Sequence, residues 1–189
     1  MRALSFILAL LIGSASGLGL TWLMSARDNG FSAFDIGVWR SWPRSGTQDA
    51  DPYARASFAR SGEIPIGLAE GVAFVATTDD RGRALDGHCI TRIQGKLLAA
   101  RFWTLTIYDG RGRLIENPAA RYGFTSAEVV YDADGGINIL LSPRVQSGNW
   151  IPTGDSDRII AILRLYDMPT GVARSDAAQM PRVTQEQCP

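Results

Sequence analysis

The chain of 189 residues has one lysine, one histidine, two cysteines and no net charge, and each shortage narrows what it can do. With 19 basic against 19 acidic side chains it lacks the long-range field that draws in nucleic acid or anionic lipid, so no nucleic-acid partner is expected. Lys96 is the single lysine. The other basic residues are arginines, a bias ascribed to genome composition and not to a binding surface. His88, Cys89 and Cys188 are too few to build a zinc or haem site, so no metal or cofactor is expected. Low-complexity segments and repeats at a fixed period are absent as well. What is present, 46% hydrophobic and 20% charged residues with 20 Gly and 9 Pro, is the composition of one globular domain with many turns.

From Ala3 to Ala26 no residue is charged. As a helix this run is about 36 Å long, enough to cross a hydrocarbon core of about 30 Å. Arg2 and the terminal amine precede it, while Arg27 is offset by Asp28, so the positive-inside bias keeps the N-terminus cytoplasmic and exports the rest. A cleavable signal peptide is the rival reading, with Leu4 to Ile12 as its apolar region and Ser14-Ala15-Ser16 as the small-residue site. Apolar residues continue through Leu18, Leu20, Trp22, Leu23 and Met24, which favours an uncleaved anchor at residues 1–26. The expected location is the inner membrane, single-pass, with the C-terminal domain in the periplasm. An exported chain meets an oxidising compartment, so a Cys89–Cys188 disulfide is expected. It would close a loop of about 100 residues, valued at roughly 4.7 kcal/mol by chain entropy. Two unpaired thiols are the alternative.

Residues 27–50 mix Gly, Ser, Pro and aromatics without a period and read as a tether. Residues 51–189 read as the folded domain. Asp51-Pro52 supplies an N-cap and a first-turn proline for a short helix over Tyr53 to Ser61. Beyond it the period changes to two. Strands are expected at Val72 to Thr77, Cys89 to Gln94, Arg101 to Tyr108, Ala127 to Tyr131, Ile137 to Ser142 and Arg158 to Tyr166. The last is apolar on both faces and therefore central. Asp79-Asp80-Arg81-Gly82, Asp109-Gly110-Arg111-Gly112 and Asp132-Ala133-Asp134-Gly135-Gly136 are turns, the third closing a hairpin. Strands without strand-helix alternation predict an all-β, antiparallel jelly-roll-like sandwich with one short N-terminal helix, preceded by a transmembrane helix.

Candidate chemistry is limited by inventory. A Ser-His-Asp triad can use only His88, whose position beside Asp86-Gly87 and Cys89 suits the start of a strand better. Asp132 and Asp134 resemble part of a calcium loop but lack its closing Glu, so a hairpin turn is the better reading. A second constellation is aromatic and amide-rich: Trp103, Tyr108, Arg121, Tyr122, Asn149, Trp150 and Arg164, with Asn117 and Tyr166 beside them. Flat rings next to planar hydrogen-bonding groups suit a pyranose, with its apolar face and polar rim. The structural alternative places Trp103 in the core and reads Asn149-Trp150-Ile151-Pro152 as a loop plugging one end of the sandwich. Arg164 lies in an otherwise apolar strand, so it is either a buried ion-pair member or a cleft residue.

Arg101-Phe102-Trp103-Thr104-Leu105-Thr106-Ile107-Tyr108-Asp109, then Asn117-Pro118 with Arg121-Tyr122, Gly148-Asn149-Trp150-Ile151-Pro152, and Leu163-Arg164-Leu165-Tyr166 resemble the signature blocks of the domain of unknown function 1214. Pro52-Tyr53-Ala54-Arg55-Ala56 with Glu70 is similar to that family's helical lead-in, and Cys89 with Cys188 to its short, membrane-anchored exported branch. The resemblance covers about Asp51 to Cys188. It implies a jelly-roll-like sandwich and no established catalytic residue, and longer relatives carry a preceding domain of unknown function 1254. The function expected is a non-catalytic exported module bound to the membrane through residues 3–26. It would contact an envelope ligand, a glycan or an envelope protein, through its aromatics. The alternative is an envelope glycan-acting hydrolase using turn carboxylates near Asp109, Asp132 or Asp134.

Overall fold

A computed structural model describes residues 2–26, 33–61, 64–67, 69–168 and 180–188. Helix α1 runs Arg2–Ala26. Its window Ala3–Leu23 has a mean hydropathy of 2.0 and is not buried by the other described residues, so by length and composition it can cross a membrane or act as a signal sequence. Helix α2, Pro52–Ser61, starts where its cap dictates: Asp51 Oδ1 accepts from the N–H groups of Tyr53 (2.9 Å) and Ala54 (3.0 Å).

The remaining elements are strands: β1 Phe34–Ile36, β2 Trp39–Ser41, β3 Gly71–Ala76, β4 Ile90–Gly95, β5 Phe102–Asp109, β6 Gly123–Thr125, β7 Ile137–Ser142, β8 Asn149–Pro152, β9 Ile159–Tyr166 and β10 Arg182–Gln187. They form a six-stranded sheet, β1-β2-β3-β9-β5-β6, and a four-stranded sheet, β10-β4-β7-β8. Alternate residues of both sheets meet in one core, Phe74, Leu105 and Leu163 from the first against Ile93, Ile139, Ile151 and Val183 from the second. The fold is an all-β sandwich with a leading apolar helix. As its apolar pattern requires, β9 is central, pairing with β3 and β5 over its length.

Four local expectations need correcting. The pairing is not wholly antiparallel, because β8 runs parallel to β7. Asn149-Trp150-Ile151-Pro152 is that strand, not a loop, since Ile151 is drawn fully into the core and its neighbours must extend. Ala127 to Tyr131 is not a strand. Glu128 and Val129 donate their N–H groups to the Thr125 carbonyl, while the Glu128 carboxylate accepts from Thr125 N and Oγ1, and this coils the segment. Its turn survives without the upstream strand, Asp132 N–H donating to the Gly136 carbonyl. Finally, the stretch expected as a tether contributes β1 and β2. Trp39 holds them down, 1% exposed, with Nε1–H donating to the Pro181 carbonyl at 2.7 Å.

Two of the turns are copies of one another. In Asp79–Arg83 and Asp109–Arg113 the aspartate Oδ1 accepts from the backbone two and four residues on, and Oδ2 accepts Nε and Nη2 of the arginine. The intervening glycines, Gly82 and Gly112, have φ of 77° and 76°, a conformation that favours glycine. Cys89 and Cys188 form a disulfide between the start of β4 and the end of its neighbour β10.

Candidate functional site

The seven side chains singled out from the sequence do not converge on one cleft. Trp103 and Asn149 belong to the interior. Trp103 is 4% exposed and donates Nε1–H to the Tyr131 hydroxyl at 3.2 Å. Asn149 clamps the coil before β7: its Nδ2 donates to the Val130 and Asn138 carbonyls and its Oδ1 accepts the Val130 N–H. Trp150 and Arg121 form a second group, at the margin between β8 and β6. The Trp150 indole N–H is spent on the Ser142 carbonyl, while Arg121 lies 5.1 Å from the Phe124 ring centroid and reaches the Trp150 carbonyl at 3.4 Å. Tyr122 is half-buried, and its carbonyl accepts the Ile107 N–H. Asn117, beside them, closes the loop to Arg121 through both of its amide atoms.

Tyr108 and Arg164 are different, for they share the outer face of the six-stranded sheet. The two-residue period puts Phe102, Thr104, Thr106 and Tyr108 of β5 on the side opposite buried Trp103, Leu105 and Ile107. On β9, Ile160, Ile162, Arg164 and Tyr166 do the same. The register opposes Phe102 to Tyr166 and Thr104 to Arg164. The rings of Phe102 and Tyr166 lie 5.9 Å apart, inclined at 40°, and Phe102 is 39% exposed. The Arg164 guanidinium sits 5.9 Å from the Tyr108 ring centroid and its Nη1 is 3.5 Å from the Tyr108 hydroxyl. The sequence reading omitted Phe102 from the site. Its parity with Tyr108 was the available signal, but the cross-strand partner Tyr166 that makes a ring pair comes from register.

Three of the candidates for catalysis, His88, Asp109 and Asp134, are engaged in local structure, while the Asp132 side chain is exposed. Asp109 gives both oxygens to its own turn, and Asp134 Oδ1 accepts the Gly136 N–H. His88 Nδ1 contacts Asp86 Oδ1 at 2.9 Å on the surface. The Asp86 carboxylate, through that hydrogen bond, raises the His88 pKa above its ordinary value, and the charges of Asp157 and Asp155 add to the effect. No cluster of three or more metal-ligating side chains occurs among the described residues.

The family described as "Protein of unknown function (DUF1214)" matches residues 70–170, just over half of the chain. The chain belongs to the DUF1214 family. Its matched segment runs from β3 to the end of β9 and so includes the whole Phe102–Arg164 face. Among solved structures, the VPA0106 protein from Vibrio parahaemolyticus is similar in fold, with a TM-score of 0.62 over 93% of this chain at 21% identity. This chain spans 44% of that protein's length. A putative uncharacterized protein from Burkholderia cenocepacia aligns with 64% of the chain and 30% of its own, at 14% identity and a TM-score of 0.44. No curated protein matches.

Proposed function

We propose that this DUF1214 protein is an exported binding module, held at the inner membrane by α1 with its sandwich in the periplasm. It takes an envelope ligand such as a glycan on the outer face of the six-stranded sheet. The observation that carries this reading is the Phe102–Tyr166 ring pair, with Phe102 exposed and Tyr166 half-buried, on a sheet face whose other residues include Tyr108, Thr104 and Thr106. Inclined rings offer a surface to the apolar side of a sugar, and the hydroxyls meet its rim. Export is supported by the apolar helix and by a disulfide, a bond that persists in oxidising compartments. The hydrolase reading has less behind it, because Asp109 is consumed by its turn.

The test is binding of the full chain, in detergent, to a panel of envelope glycans, with Phe102→Ala and Trp150→Ala compared. Stacking on a ring is worth about 1 kcal/mol, so Phe102→Ala should weaken the glycan about fivefold to tenfold. Trp150→Ala, which removes a ring from the other sheet, should not weaken it when the fold is intact. A panel with no ligand sensitive to Phe102 ends the proposal.

A further inference from the structure

Arginines occupy the outer faces of both sheets, and they are treated differently. On the four-stranded sheet Arg92 is satisfied across its strands, Nη2 donating to Glu186 Oε2 at 3.1 Å and Nη1 to Asn138 Oδ1 at 2.8 Å. Arg164, in the middle of β9, has Ala73 of β3 and Thr104 of β5 as its cross-strand neighbours, and Thr125 of β6 lies beyond Thr104. None carries charge. Among the described residues Arg164 forms no ion pair, and its one polar contact is the 3.5 Å approach to Tyr108. Of the carboxylates on or beside the strands of this sheet, Asp35 is engaged with Arg40, Glu128 with Thr125, Asp109 with Arg113 and Asp167 with Arg101, while exposed Glu70 immediately precedes β3, whose first pair, Gly71–Tyr166, lies two residue pairs along the strand from the Ala73–Arg164 pair. A half-buried guanidinium presents five donors in a fixed fork, and here most are unused. The complement of such a fork is a planar oxyanion, which it grips through two parallel hydrogen bonds.

We infer that the ligand of this face is an acidic saccharide, whose ring rests on Phe102 and Tyr166 while Arg164 takes its carboxylate. The inference rests on the binding reading proposed above and adds the charge of the ligand. Tyr108 holds the guanidinium from the side through its ring and hydroxyl, leaving the far edge of the fork for the incoming group. Thr104 and Thr106, whose side chains make no hydrogen bond among the described residues, supply donors and acceptors beside it. The small neighbours Ala73 and Thr104 leave the fork accessible at the level of the sheet.

The experiment titrates the full chain, in nanodiscs of zwitterionic lipid, with oligogalacturonate and with its methyl ester, which keeps the rings and removes the charge. The acid should bind at least about tenfold more tightly than the ester, the scale of a charge-assisted hydrogen-bonded pair. Arg164→Gln should erase that ratio, the acid falling to about the affinity of the ester, in a protein that still unfolds cooperatively. Arg164→Lys, which keeps the charge and loses the fork, should retain part of it. Equal binding of acid and ester, or a ratio that survives Arg164→Gln, overturns the oxyanion assignment and leaves the binding module standing. Binding of neither saccharide overturns both. If the protein binds anionic phospholipid vesicles through Arg164 and binds no saccharide, the anion is a lipid headgroup and the inference falls.

Discussion

The twin turns allow one electrostatic arrangement to be compared at two depths. Asp79 is 0% exposed and accepts four hydrogen bonds, at 3.0 and 2.8 Å from the backbone of Arg81 and Arg83 and at 2.8 and 2.6 Å from the Arg83 side chain. Asp109 makes the same four bonds with its side chain 18% exposed. Asp79→Asn keeps the size and the two backbone bonds but turns an amide N–H₂ toward the guanidinium, donor against donor. Two charge-assisted bonds are lost, and because the Arg83 side chain is 44% exposed, water recovers part of the loss. The net cost should be about 2–3 kcal/mol, which at roughly 2–4 °C per kcal/mol for a domain of this size lowers the midpoint by roughly 5–10 °C. Arg83 also donates to the Gln185 carbonyl, so the same change should loosen β10. Asp109→Asn should cost clearly less. Burial pushes the Asp79 carboxyl up, but its bonds to Arg83 and the turn backbone outweigh this and hold its pKa below the usual 3.8. Its stabilisation is therefore complete above that value and fades as pH falls through the lower folded-state pKa. Thermal unfolding of the full chain followed by near-ultraviolet circular dichroism, at neutral pH and at pH 3, reads both effects. Equal midpoints for the two variants at neutral pH would refute the argument that enclosure sets the cost.

Reduction of the Cys89–Cys188 bond should lower stability by about 2–5 kcal/mol, measured as a shift of the denaturant midpoint with and without dithiothreitol. Trp39→Ala should cost about 3–5 kcal/mol, because it empties a fully buried site and strands the Pro181 carbonyl; a surface-like loss under 1 kcal/mol would return residues 27–50 to the status of a tether. The His88–Asp86 bond stabilises the folded state when His88 is protonated. That contribution is complete below the ordinary pKa of 6.5 and disappears as pH rises through the raised folded-state value, so His88→Gln should flatten the midpoint-against-pH curve above pH 6. An unchanged slope would show the pair to be inert.

Much of the fold was legible because it rests on local chemistry. The uncharged run Ala3 to Ala26 is a property of consecutive residues, and so is the Asp51 cap of α2. The alternation in Arg101 to Tyr108 separates Trp103, Leu105 and Ile107 from Phe102, Thr104, Thr106 and Tyr108 whatever the strand pairs with. A strand rich in apolar residues on both sides, such as β9, belongs in the middle of its sheet, where β3 and β5 flank both of its edges. The Cys89–Cys188 pairing was legible because the chain has two cysteines and an oxidising compartment was expected for it.

What the tertiary structure alone decided is which residues become neighbours across strands. Phe34 to Ser41 has no period long enough to mark a strand, and it forms the β1–β2 pair because Trp39 finds a buried site and an acceptor in Pro181, more than a hundred residues away. Ala127 to Tyr131 has strand composition but loses to a local bond network around Thr125. The seven candidate side chains lie near each other in several sequence blocks, yet register divides them among the core, the β6–β8 margin and the outer face of β5 and β9. Sequence states which side of a strand a residue takes, because pleating reverses direction at every step. It does not state what lies opposite, since that depends on where the whole chain returns, and the unanswered charge of Arg164 exists only once Ala73 and Thr104 have been placed on either side of it.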